Sequence, residues 1–288
     1  MDSATQNNPL LDAPGLRDIE RWLSDVTLLM AKLRYDPIPK RGELDLPPSQ
    51  RRVLIDDYRR IFVPTPDAIR IADRMLRLIL HNLQRRNPRI PQVQRWINST
   101  QQWLDKSLDD IPWNPTQAVG LLIEGITGIG KSHIVDRVLH LLPQIIEHEP
   151  EGEWGMLKLK QLVWLKVHLP ADHTRKGLLV AILTEMDRVL GSEYVKAHVR
   201  PSTSIEVLMI KVMHLLAQHR CGALVIEEAQ EQNIGSPAFS RDFMTFFLRI
   251  LNWGIPVMIV GNPIAFEALK AHAQDVDRFS EGGWFTLL

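Results

Sequence analysis

The sequence predicts an α/β fold in which helices flank a five-stranded parallel sheet and an N-terminal helical region precedes it. From Val119 onward, short and nearly continuous apolar runs alternate with segments whose apolar residues recur at helical spacing. Strands that are apolar throughout are typical of parallel sheets covered on both faces. The chain has 288 residues, of which 45% are hydrophobic and 24% charged, and this is a typical globular composition.

The composition also excludes several classes of protein. No apolar run approaches the roughly 20 residues that cross a bilayer, so we expect no membrane partner. The N-terminus lacks the basic stretch and apolar core of a signal peptide. The single cysteine, Cys221, permits no internal disulfide and no cysteine-rich zinc site. A cytoplasmic protein fits these features best.

The first part of the chain is predicted to be helical. Helical spacing covers 16–33 and 92–106, a short helix is expected over 49–60, and the strongest signal is 67–86 with Thr65 as its N-cap. Between Arg51 and Arg95 there are eleven Arg and four Asp but no Lys or Glu, although the whole chain is neutral. This basic stretch indicates either a surface for a polyanion or a solvated helix face.

The sheet is predicted from five apolar runs and the helices between them. The runs are 119–125, 161–169, 222–228, 255–262 and, more weakly, 283–288. The intervening helices are expected over 131–148, 176–190, 204–219 and 239–252, with a loop over 148–160.

The most specific motif lies directly after the first run. Residues 125–132 match G-x-x-x-x-G-K-[ST] in full and lie between a predicted strand and a predicted helix. Such a loop turns its N–H groups toward phosphate oxygens, and the helix that follows adds its positive end. Lys131 is expected to reach the β- and γ-phosphates and Ser132 to bind Mg²⁺. The predicted ATP-binding residues are Gly125, Ile126, Thr127, Gly128, Ile129, Gly130, Lys131, Ser132 and the following His133.

A second apolar run, 222–228, ends in two carboxylates. Glu227 is expected on the Mg²⁺ side, and Glu228 is expected to orient or deprotonate the attacking water. The common pair at this place is Asp-Glu. Because Mg²⁺ demands strict octahedral geometry, the longer Glu227 puts the turnover rate in question more than nucleotide binding. A solvated acidic strand end is the alternative.

Two further residues are candidates for catalysis. Asn262 ends the run 255–262 and could lie beside the γ-phosphate, although Asn before Pro263 also commonly starts a turn. Arg278 precedes the last run and could reach the nucleotide of a neighbouring subunit, where it would stabilise transition-state charge. An ordinary surface arginine is the alternative.

These parts, in this order, resemble an AAA+ ATPase, with the phosphate loop at 125–132 and the acidic strand at 224–228. More narrowly, the segments 59–76 and 163–191 resemble those of TnsC/TniB-type ATPase regulators of DNA transposition. The resemblance covers most of 59–288, so we predict a P-loop AAA+ domain there and an N-terminal helical region, which could bind a partner, over 1–58. AAA+ proteins usually carry a helical lid after the fifth strand, and this lid is expected to be absent, either because it is lost or because the sequence is truncated.

The resemblance implies an ATP- and Mg²⁺-dependent homo-oligomer, a ring or filament, that assembles on double-stranded DNA and links a target-selection protein to the transposase. It implies adenine contacts by Phe62 and Val63, which could equally be ordinary core residues. It also implies DNA contacts by Thr174, Arg175 and Lys176, for which helix capping is the alternative. Two other functions stay open: a nucleotide-binding scaffold with little hydrolysis, and an AAA+ ATPase of another branch, such as a helicase loader.

Overall fold

The computed structural model describes most of the chain. The described residues are 8–37, 42–43, 45–58, 61–111, 118–150, 158–170, 174–229, 237–263, 266, 277 and 279–288. Side chains are described throughout these ranges except at 53, 55–58, 109, 228–229 and 237–244. Among the described helices, none is long and apolar enough to cross a bilayer.

Five parallel strands form the central sheet, as the sequence predicts. The described strands are β1 Leu121–Gly125, β2 Ile145–His148, β3 Leu159–Leu162, β4 Leu165–His168, β5 Leu224–Ala229, β6 Val257–Gly261 and β7 Trp284–Leu287. The order across the sheet is β4-β5-β6-β1-β7, and every neighbouring pair is parallel. Strand β6 therefore separates β1, which leads into the phosphate loop, from β5, which carries the two glutamates.

Several helices begin at a residue whose side chain caps the first turn. Those in the described part of the chain are α1 Ile19–Ser24, α2 Val26–Leu33, α3 Pro48–Tyr58, α4 Pro66–Arg85, α5 Pro91–Ser99, α6 Lys131–Leu139, α7 Arg175–Leu190, α8 Tyr194–His198, α9 Ile205–Gln218 and α10 Pro237–Asn252. The predicted helix 16–33 is divided at Asp25, whose carboxylate accepts hydrogen bonds from the first turn of α2. Helix α5 ends earlier than predicted and continues as a 3-10 helix, Thr100–Asp105.

Two apolar layers cover the sheet, one on each face. Residues alternate along β1, so Leu121 and Ile123 join the layer of α4 and α6, whereas Leu122 joins the layer of α7, α9 and α10. In β5, Val225 faces the first layer and Ile226 the second. Burial of each such side chain contributes about 1.5–3 kcal/mol, and the two layers together hold the strand ends in place.

The segment after α6 differs from the prediction. The expected helix 131–148 ends at Leu139, and β2 pairs with β3 as an antiparallel hairpin. Pro143 explains the end of the helix, because proline disfavours helical backbone at the preceding residue and cannot donate to the helix. The expected strand 161–169 is divided between β3 and β4. The backbone N–H of Leu162 donates to the carbonyl of His219, and its carbonyl accepts from the N–H of Gly222. These two hydrogen bonds separate β3 from β4.

Residues before the predicted boundary at 58 pack on the α/β core. Leu16, Ile19 and Trp22 belong to the same apolar layer as α4. Arg137 of α6 donates to the carbonyls of Leu33 and Arg34 at the end of α2, at 2.6 and 3.0 Å. The division into 1–58 and 59–288 stays a prediction, but contacts between the two parts are extensive.

A buried polar cluster secures the starts of β5 and β6. Arg86 is almost fully buried and donates to the carbonyls of Cys221, at 3.0 Å, and Gly254. Asn82 donates to the carbonyls of Cys221 and Gly222. Burial lowers the pKa of Arg86 to about 10, so its guanidinium stays charged at neutral pH. At least this arginine of the basic stretch 51–95 therefore stabilises the interior and does not contribute to a basic surface.

Candidate nucleotide-binding site

The phosphate loop connects the end of β1 to the start of α6. Gly128 and Gly130 have φ of +86° and +100°, a backbone region that L side chains rarely adopt. A Cβ atom built on either glycine would meet no atom within 4 Å. The backbone conformation, and not crowding, therefore requires glycine at these positions, and the space beside them is open to a ligand.

Helix α6 begins without a side-chain cap, unlike α4, α7 and α9. The first turns of α4, α7 and α9 are capped by the side chains of Thr65, Thr174 and Ser204. At α6 the N-cap is Gly130, which supplies no side-chain acceptor. The first N–H groups of a helix have no acceptor inside the helix, so those of α6 remain available to an anion.

The side chain of Lys131 reaches back across the loop that precedes it. Its Nζ donates to the carbonyls of Gly125 and Ile126 at 2.6 and 2.9 Å. Partial burial lowers the pKa of Lys131. Because a hydrogen bond from an ammonium to a charged phosphate is stronger than one to a neutral carbonyl, a bound phosphate would compete well for this group.

Glu227 is the buried acid of β5. It is 2% exposed, and its side chain lies on the sheet face that α6 covers. Its Oε2 accepts from Lys166 Nζ at 3.3 Å and lies 3.9 Å from His168 Nδ1. Its Oε1 is buried and has no hydrogen-bond partner among the described residues.

The carboxylates lie at an irregularity of the strand. Ile226 pairs with Ile259 and Ala229 with Gly261, so three steps along β5 match two along β6. Such bulges change the direction of side chains and often lie next to active sites. The backbone of Glu228 belongs to β5, but its side chain is outside the described part, so its role as a base stays a prediction.

The donor set fits a magnesium ion. Mg²⁺ prefers oxygen ligands and keeps several of its waters. The exposed hydroxyl of Ser132 in the first turn of α6 supplies one oxygen. The Oε1 of Glu227, which has no partner among the described residues, supplies an acceptor for a metal-bound water.

Asn262 follows β6 directly and is half-buried. Its neighbour Gly261 pairs with Glu124 of β1 on one side and with Ala229 of β5 on the other. Asn262 therefore lies between the phosphate loop and the acidic strand, and its role beside the γ-phosphate stays a prediction. Arg278 lies outside the described residues, so its predicted role is not tested.

The two candidates for adenine contact have different surroundings. Phe62 is buried, and its ring stacks on that of His133 with centroids 5.2 Å apart and planes 8° from parallel. Its backbone forms a two-bond bridge with Tyr35. Val63 is 66% exposed. Phe62 thus lies against the ring of His133, which follows the phosphate loop, and contact of Phe62 and Val63 with adenine stays a prediction.

The candidate DNA-contacting residues take part in local structure. Thr174 caps α7 by accepting from the N–H of Gly177 at 2.8 Å. Lys176 Nζ donates to the carbonyls of Pro201 and Thr203 at 3.2 and 2.9 Å. Helix capping, the alternative interpretation, thus accounts for Thr174. DNA contact by these residues and by Arg175 stays a prediction.

Lys166 is the main site residue that the sequence did not predict. It lies on β4 and bonds both Glu227 and Asp136 of α6. A lysine between the apolar residues Leu165 and Val167 was the available signal.

Comparison with protein families agrees with this geometry. The model of the family described as bacterial TniB protein matches residues 89–285, which is more than half of the chain. No curated protein matches the chain. The chain belongs to the TniB family, that is, to the P-loop AAA+ regulators of DNA transposition of the TnsC/TniB type.

Proposed function

We propose that the protein hydrolyses ATP with Mg²⁺ and assembles on double-stranded DNA as a homo-oligomeric ring or filament in the cytoplasm. In this state it links a target-selection protein to the transposase, and hydrolysis ends the assembly. The observation that carries the proposal is the phosphate loop with its uncapped α6, placed one strand away from the buried, half-satisfied Glu227.

Each group of the site has a chemical task. The loop N–H groups and Lys131 bind the phosphate oxygens, and Lys131 neutralises charge that develops on them. Ser132 and Glu227 hold the magnesium ion, which neutralises phosphate charge when bound. Asn262 orients the attacking water. Glu228 accepts a proton from that water while the water oxygen forms a bond to the γ-phosphorus. The bond between the γ-phosphorus and the β,γ-bridging oxygen then breaks, which gives ADP and phosphate.

A neighbouring subunit supplies the remaining charge in this proposal. Arg278 of one subunit reaches the nucleotide of the next, so nucleotide state and subunit contact are coupled. Contacts of Thr174, Arg175 and Lys176 with DNA phosphates position the oligomer without reading sequence. DNA binding should accordingly weaken steeply with salt.

The test combines ATP hydrolysis with imaging. We expect duplex DNA to stimulate phosphate release and, with a non-hydrolysable ATP analogue, to yield ordered assemblies that need both components. Lys131→Ala should abolish nucleotide binding and assembly. Lys196→Ala is the matched control, because Lys196 is exposed on α8 and its ion pair within the described part of the chain is with the equally exposed Glu193.

Other outcomes separate the alternatives. Tight ATP binding with hardly any phosphate release, with or without DNA, would favour the scaffold and agree with the longer side chain at Glu227. Failure of labelled ATP with magnesium to bind the wild-type protein would refute the whole proposal.

A further inference from the structure

Lys166 joins two elements of the candidate site. Its Nζ donates to Asp136 on α6, one turn beyond Ser132, and to Oε2 of Glu227 on β5 at 3.3 Å. The three side chains differ in exposure: 2% for Glu227, 21% for Lys166 and 40% for Asp136. The lysine therefore connects a buried acid with a half-exposed one, across the groove between helix and strand.

The buried acid depends on this lysine. A carboxylate that has lost its water needs a nearby cation or hydrogen-bond donors. Among the described residues, Lys166 pairs with Glu227 at 3.3 Å, and His168 Nδ1 lies 3.9 Å from the same carboxylate oxygen. Lys166 engages Oε2 alone and leaves Oε1 as the oxygen without a partner among the described residues. The contact thus decides which oxygen remains for a ligand.

The positive charge of Lys166 is shared between two carboxylates, those of Asp136 and Glu227. Desolvation by burial lowers the pKa of Lys166, but the hydrogen bond with Asp136 and the charges of Glu227 and Asp136 outweigh it and raise the pKa above its ordinary value. Lys166 is thus cationic at neutral pH. A cation that approaches Oε1 meets two carboxylates and one ammonium.

We propose that Lys166 is a positioning residue for the Mg²⁺ side of the site: it holds Oε2 of Glu227 so that Oε1 receives a metal-bound water, and with Asp136 it sets the charge that the metal meets. The inference rests on the proposed function and goes beyond it, because it assigns a role to Lys166 and Asp136. It also supplies a reason for glutamate in place of aspartate, since the longer side chain reaches both the lysine and the metal shell.

The test measures metal binding directly. Mn²⁺ would replace Mg²⁺, and its dissociation constant would be measured by electron paramagnetic resonance with a saturating non-hydrolysable ATP analogue. Because Glu227 would contact the metal only through water, the lost positive charge in Lys166→Met should outweigh the lost orientation, and Mn²⁺ binding should tighten about three- to tenfold. Asp136→Asn removes a negative charge and frees Lys166 for Glu227, so Mn²⁺ binding should weaken by a similar factor.

Rescue and turnover separate positioning from simple stability. Lys166→Arg keeps the charge and should restore the wild-type Mn²⁺ affinity. In Lys166→Met, kcat should fall at least about tenfold while KM for ATP changes less, because the carboxylate loses its orientation and the phosphate loop is intact. Lys196→Met, on the exposed pair with Glu193, is the control and should change neither quantity.

The outcomes are distinguishable. Equal Mn²⁺ affinities in wild type, Lys166→Met and Asp136→Asn would overturn the inference, as would shifts in the same direction for both variants. If Lys166→Met fails to fold, Asp136→Asn still decides the matter, because Asp136 is half-exposed and its loss leaves no buried charge unpaired. Wild-type protein that binds no Mn²⁺–nucleotide would refute the proposed function itself.

Discussion

Gly130→Ala tests the phosphate loop most directly. Gly130 has φ of +100° and ψ of 13°, and an added Cβ would meet no atom within 4 Å. The cost of the methyl group is therefore conformational and not steric. An L-residue in the left-handed region costs about 1–2 kcal/mol. We expect the free energy of unfolding to fall by about that amount if the loop keeps its conformation.

The effect on nucleotide binding should be larger. The loop can relieve the strain by turning, but turning moves the N–H groups at the start of α6 away from the phosphates. A lost hydrogen bond to a charged group is worth about 1.5–3 kcal/mol, which corresponds to at least about tenfold in affinity. We therefore expect ATP affinity to fall tenfold or more.

Gly191→Ala is the matched control. Gly191 ends α7 with φ of +67°, and a Cβ there would also meet nothing within 4 Å. Denaturant unfolding would measure stability, and fluorescence titration with a labelled ATP analogue would measure affinity. Both variants should lose similar stability, whereas Gly130→Ala alone should lose nucleotide. Wild-type affinity in Gly130→Ala, or an equal loss in Gly191→Ala, would refute the reasoning.

Three other substitutions test separate parts of the structure. Glu228→Gln should leave ATP binding intact and slow phosphate release by at least about a hundredfold, because Gln cannot accept the proton of the attacking water; unchanged turnover would show that Glu228 is not the base. Thr65→Ala removes the hydroxyl that accepts from the Ala68 N–H and should lower the free energy of unfolding by about 1 kcal/mol in urea denaturation. Arg86→Met removes two hydrogen bonds from a buried cation, leaving Asn82 alone on the Cys221 carbonyl, and should lower the free energy of unfolding by about 2–4 kcal/mol, with nucleotide affinity near wild type in the protein that remains folded.

Features that depend on neighbouring residues could be predicted from the sequence. The phosphate loop is such a feature, because its glycines, Lys131 and the start of α6 are contiguous. The apolar runs likewise predicted the five parallel strands, since strands buried on both faces need apolar residues throughout. The cap at Thr65 and the length of α4 followed from local helix chemistry.

Local sequence patterns did not predict the bounds of elements that depend on backbone contacts with distant residues. Helical spacing continued past Leu139, but Pro143 ended the helix and β2 paired with β3 instead. The run that ends at Leu169 looked like one strand, yet backbone bonds of Leu162 to His219 and Gly222 divide it. Partners that are distant in sequence decided both outcomes.

The sequence by itself determined the fold class, the phosphate loop and the positions of the two glutamates and Asn262 at strand ends, because each depends on short-range chemistry. Only the tertiary structure decided that β6 lies between β1 and β5, that His133 stacks on Phe62, and that Lys166 bonds Asp136 and Glu227, which are 30 and 61 residues away. Strand order and side-chain pairing arise when the layers pack together, and packing brings residues into contact without regard to their separation along the chain.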